Sequence, residues 1–74
     1  MKFSMKKVTV LLADGFEEIE ALTVVDLLRR AKVYVDTVSI TDDYTVRGAH
    51  GIPVQTEDLI TEIDFKESDM IVLP

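Results

Sequence analysis

Three glutamates crowd one stretch of this 74-residue chain, Asp14-Gly15-Phe16-Glu17-Glu18-Ile19-Glu20, and carboxylates set so close together can do proton chemistry. Their mutual repulsion raises the pKa of whichever is least solvated, while a helix N-terminus and its free N–H groups lower it, so burial decides the outcome. Helical side chains tilt toward the N-terminus, so Glu20 is expected to point back to the end of the preceding strand, with Glu17 and Glu18 at the rim. A buried Glu20 kept partly protonated could donate a hydrogen bond to an anion or relay a proton. The plainer reading, which spacing alone favours, is that all three are solvated residues starting a helix. His50, between Gly48 and Gly51, reads most simply as an exposed loop residue, although the flanking glycines would let it approach a ligand or partner closely.

Other chemistry is excluded or poorly supported. The chain has no cysteine, so it holds neither a disulfide framework, a thiolate metal site nor a cysteine nucleophile of its own, and a single histidine cannot build an imidazole cluster. A helix N-terminus attracts anions, but three glutamates in its first turn oppose a phosphate, and Gly15 stands without the spacing of a dinucleotide or P-loop fingerprint. No cofactor and no metal are expected. Asp14 sits just past a strand, as in receiver domains and phosphatases. The former need an acidic pair there and the latter a second Asp two residues on, where this chain has Phe16. Eight basic against 14 acidic residues give a net charge of −6, which would repel a phosphate backbone and rules against a nucleic-acid partner. Phe16, Phe65, Tyr34 and Tyr44 show no stacking arrangement, and Arg29 and Arg30 suit a helix end better than a substrate.

The elements that must position these residues follow from periodicity. Lys7 to Ala13 is β-branched and apolar, the pattern of a strand covered on both faces of a parallel sheet. From Glu17 to Ala31 apolar residues recur at helical spacing, with acidic residues in the first turn and Arg29 and Arg30 in the last, as the helix dipole prefers. Val33 to Ile40 alternates as a second strand. Tyr44 to Val46 and Ile52 to Thr56 read as short strands of a hairpin, the second at an edge because of Pro53. Leu59 to Ile63 reads as one helical turn or a loop, and Asp69 to Leu73 as a further buried parallel strand.

The start, with Lys2, Lys6 and Lys7 before the apolar run Val8 to Ala13, superficially resembles a signal peptide. The run is too short and Asp14 and the glutamates follow too closely, so secretion is not expected. No stretch reaches the roughly 18 apolar residues of a membrane span, and a soluble, cytoplasmic protein is expected with no membrane partner. Met5 would serve as an alternative start, which makes Met1 to Ser4 a dispensable extension. Apolar residues form 47% of the chain, enough for a packed core, yet a chain this short buries only about 60% of its unfolded surface. The last strand ends at Pro74 with no loop or covering helix after it. The expectation is therefore that residues 1–74 are the N-terminal portion of a single larger α/β domain; a small complete α+β protein is the alternative.

The run KVTVLLADGFEEIEALTVVDLLRRA, the Gly-x-His-Gly-Ile loop and the terminal DMIVLP together resemble the ThiJ/PfpI superfamily, and within it the branch of the parkinsonism-associated protein deglycase and its bacterial relatives. The likeness covers the chain after Met5. It implies a flavodoxin-like, doubly wound, mostly parallel α/β sheet related to class I glutamine amidotransferases, here its N-terminal half, and a homodimer. It also implies that the family glutamate hydrogen-bonding a nucleophilic cysteine falls on Glu20. Glu17 and Glu18 fall on acidic positions beside the same pocket, Gly15 lies at its junction, and Pro74 precedes the place of a Gly-Gly pair that helps form an oxyanion pocket. His50 occupies a place where an arginine often lies near the neighbouring subunit's site. The cysteine would come from a C-terminal remainder some thirty residues further on. The usual glycine after the helix is replaced by Lys32, which weakens the expected helix end. The activities this implies are cofactor-independent glyoxalase or deglycase chemistry on a small carbonyl substrate, with redox sensing, a chaperone-like binding role or PfpI-type peptidase activity as alternatives.

Overall fold

The computed structural model describes residues 6–74. The extension Met1 to Ser4 and the alternative start Met5 lie outside the described residues. In chain order the elements are β1 (Lys7–Leu12), α1 (Glu18–Arg30), β2 (Tyr34–Ser39), β3 (Thr45–Arg47), β4 (Pro53–Gln55), β5 (Asp58–Leu59), the 3-10 turns Ile60–Glu62 and Phe65–Glu67, and β6 (Met70–Val72). β1 lies in the middle: it pairs in parallel with β2 on one side and β6 on the other, and β5 extends the sheet in the order β5-β2-β1-β6. Parallel pairing needs a crossover between strands, and α1 supplies the one between β1 and β2.

The strand alternation sends Val8, Val10, Leu12 and Val35 to the face that receives α1, where they pack with Ala21 and Val25 into the core. Val10 and Leu12 are fully buried. β3 and β4 form an antiparallel hairpin whose Val46 is fully buried and joins the same core, with Phe16 beside it. Pro53, which has no N–H, sits opposite Arg47 at the end of that hairpin.

The helix ends in a way the composition only half announced. The N–H of Lys32 donates to Arg29 O and that of Val33 to Leu28 O, the paired bonds of a Schellman motif. Leu28 and Val33 both pack against the core. The motif needs a left-handed residue, and Lys32 adopts φ 66 where glycine would be at ease.

Two expectations are refined. The segment Leu59 to Ile63 holds a 3-10 turn at Ile60–Glu62, but Asp58–Leu59 just before it pairs with β2 as a strand too short to show any period. β6 forms where Asp69 to Leu73 was expected, yet it is not buried: it is the sheet's edge, with Met70, Ile71 and Leu73 exposed. On the sheet face opposite α1 lie buried Thr9, Asp36 and Val38 beside exposed Ile71, and among the described residues no helix covers that face.

Candidate functional site

The chain turns from β1 into α1 through Asp14-Gly15-Phe16-Glu17, at the carboxyl end of the central strand, where open parallel sheets gather their functional groups. Gly15 takes φ 89, a left-handed value suited to glycine. The junction does not stand alone, because the hairpin arm runs alongside it. Gly15 N donates to Arg47 O at 2.7 Å, and Arg47 N donates to Asp14 Oδ1 at 3.0 Å. Ala49 N donates to Phe16 O at 2.8 Å, and Phe16 forms a parallel bridge with Gly48.

Glu18 completes this seam. Its carboxylate is buried, 4% exposed, and Oε2 accepts from the backbone N–H groups of His50 at 2.8 Å and Ile52 at 3.3 Å. Oε1 meets the His50 ring at Nδ1, 2.8 Å away. Gly48 is packed so tightly against this side chain that a Cβ there would collide with the Glu18 carboxyl. Burial on its own raises the Glu18 pKa, but the His50 ring and the backbone N–H groups of Glu18, His50 and Ile52 outweigh it and hold the carboxyl at about 2. Glu18 is therefore ionised at any ordinary pH. The same contact, followed by the charges of Glu18 and Glu17, raises the pKa of His50. Glu17 Oε1 lies 3.5 Å from the His50 ring.

Glu17, Glu18 and His50 thus meet in one cluster, with ligating atoms within 4.8 Å of one another. They have the donor types of a cation site, but both Glu18 oxygens are already engaged by the His50 and Ile52 donors. Gly15 and Pro74 meet in a different place. They line a recess of about 290 Å³ between the β1 and β6 ends, with Asp14, Phe16, Ile40 and Leu73. Glu20 belongs to neither group and is exposed in the first turn of α1. The burial expected from side-chain tilt is thus reversed: Glu18 lies inside and Glu20 outside. The reason is long range, since the donors that draw Glu18 inward arrive on a hairpin 32 and 34 residues later. The only hint in the sequence was the pair of glycines around His50, which signalled close approach without naming its target.

Comparison with known proteins bears on this arrangement. The DJ-1/PfpI family profile matches residues 6–74. Protein DJ-1 homolog B of Arabidopsis thaliana is 35% identical over the entire chain, which spans 17% of that relative's length. Among solved structures, oxidized DJ-1 of Toxoplasma gondii superposes with a TM-score of 0.89 at 38% identity, over 93% of this chain and 38% of that one. A cysteine-to-alanine mutant of a DJ-1 superfamily protein from Salmonella typhimurium superposes with a TM-score of 0.77 at 43% identity, over 78% of this chain and 31% of that one. The parallel sheet with its crossover helix is accordingly the N-terminal part of a flavodoxin-like α/β fold. Matched from Lys6 to the last residue in sequence, and over most of its length in backbone, the chain belongs to the DJ-1/PfpI family.

Proposed function

We propose that this chain supplies the N-terminal portion of a cysteine-dependent enzyme that acts on 2-oxoaldehydes or early glycation adducts. The observation that carries the reading is the convergence of Gly15 and Pro74 on one recess at the carboxyl ends of β1 and β6, beside the N-terminus of α1. A cysteine delivered there by a C-terminal remainder would be acidified by the helix N-terminus and would attack a carbonyl carbon. Glu20, exposed in the first helical turn, is the group we assign to hold that thiolate and pass protons. Converting an oxoaldehyde to a hydroxy acid moves one proton between adjacent carbons and adds one water, so it balances without an external oxidant or reductant. Glu17, Glu18 and His50 flank the helix start outside the recess, and we assign them a supporting role rather than a chemical one.

A homodimer fits the same geometry. Ile19, Leu22 and Ile52 are 76%, 36% and 49% exposed and share a groove of about 390 Å³ with Glu18, Thr23 and Asp26. We assign that groove to a second copy. No helix among the described residues is long and apolar enough to cross a membrane.

One observation favours a second reading. The Toxoplasma gondii relative was captured in an oxidized form, which suits a sensor whose thiolate reacts with peroxide and does not turn over. Lactate formation from methylglyoxal by the full-length protein separates the two. The enzymatic reading predicts turnover that falls by about a hundredfold in Glu20→Gln, the usual worth of a positioned acid-base group. Equal rates in parent and variant would remove Glu20 from the mechanism. A protein that forms no lactate but is stoichiometrically oxidised by peroxide is the sensor.

A further inference from the structure

We infer that Glu18 is a positioning residue: its buried carboxylate latches the tip of the β3–β4 hairpin to the start of α1 and so fixes the Asp14–Glu17 junction. The inference depends on the proposed function only for what the junction is used for; the latch itself is read from geometry.

Hydrogen bonds join the two segments in sequence order along their whole contact, from Asp14 and Arg47 at one end to Glu18 and Ile52 at the other. Only the bonds to Glu18 involve a charged acceptor removed from water, and such bonds are the strong ones. Two backbone N–H groups and a ring nitrogen converge on one carboxylate, so a single side chain organises three donors of a five-residue segment. The other bonds in the seam are made by exposed or backbone groups that water could replace. Gly48 adds a steric half to the latch, because only a residue without Cβ lets the hairpin arm close on the Glu18 carboxyl. The β3–β4 hairpin is short. Its strands span only Thr45–Arg47 and Pro53–Gln55, and it belongs to a separate two-stranded sheet. Val46 ties its base into the core; Glu18 ties its tip. Release of the tip would free Gly15, whose N–H is held by Arg47 O, and would loosen the first turn that carries Glu20. Glu18 thereby acts through the junction, with its carboxylate oxygens engaged by His50 and Ile52.

The test is residue-resolved amide exchange on the full-length protein, with the parent, Glu18→Gln and His50→Ala compared, and with the His50 ring titrated by NMR. In Glu18→Gln, exchange at Ala49 and Gly15 should accelerate about tenfold, the usual effect of removing a charge-assisted bond, while Val10 in β1 keeps its parental rate. The His50 ring should titrate lower in that variant than in the parent, with Glu17 alone left to raise it. Parental exchange at Ala49 and Gly15 in a folded Glu18→Gln protein overturns the latch. Should that variant not fold, His50→Ala carries the test. It removes an exposed ring and leaves both backbone donors, so exchange at Ala49 should rise by a smaller factor, about threefold, and no change overturns the proposal. Absence of lactate formation in the parent would count against the proposed function alone, since the exchange rates do not depend on turnover.

Discussion

Glu18 and Asp36 are both carboxylates withdrawn from water, and their neighbours push them in opposite directions. Burial raises each of them. Around Glu18 the N–H donors reverse that effect, whereas Asp36 on β2 meets Asp58 and then Glu57, whose carboxylates add to burial and bring it to about 7. A carboxyl raised from its ordinary 3.8 stabilises the fold fully below that value and ceases to do so as the pH rises through about 7. Asp36→Asn, which cannot ionise, should therefore gain stability over the parent between about pH 5 and pH 8. Denaturant midpoints across that range check this, and parallel pH profiles for the two proteins would contradict it. The opposed fates of Glu18 and Asp36 also mark the limit of what the sequence disclosed at this scale. Three glutamates in a first turn announced a shifted carboxyl, but which of them is buried depends on donors from His50 and Ile52 that local spacing does not reveal. Asp36 drew no notice, because a single acidic residue inside an alternating strand looks solvated until the register places Asp58 on the same face.

Elements with strong periods were legible. β1, α1 and β2 appear within a residue or two of the expected bounds, because six-residue strands rich in β-branched residues and a thirteen-residue amphipathic helix leave little competition. The hairpin was legible from Pro53 and the glycines, but its role as a brace was not. β5 escaped notice because two residues carry no period. The helix end shows how a local departure is tolerated. Lys32 stands at φ 66 in a motif that glycine fills at no steric cost, and the bonds to Leu28 and Arg29 hold it there. A left-handed non-glycine residue costs roughly 1 kcal/mol, and glycine returns part of that as greater freedom of the unfolded chain. Lys32→Gly should raise stability by about 0.5 kcal/mol, read from urea unfolding. A variant less stable than the parent would show that the lysine side chain contributes more than its backbone costs.

At the scale of the whole molecule, α1 covers one face of the sheet, while the opposite face and the β6 edge leave Ile71, Met70 and Leu73 in contact with water. The chain spans 38% of the Toxoplasma gondii relative it resembles in backbone. The exposed apolar groups and the recess at Pro74 are the surfaces on which we place a remainder that brings the cysteine. The fold class was legible from strand, helix and strand in order; the chemistry was not, because this chain contains no cysteine. We propose that the α1 tip, with Glu20, acidifies and holds that thiolate. The most direct measurement is the ultraviolet absorbance of the thiolate against pH in the full-length protein and in Glu20→Gln. The parent thiol should ionise well below the ordinary value of about 8.5, with the titration displaced in the variant. An ordinary thiol pKa in the parent, or identical titrations in the two proteins, would contradict it.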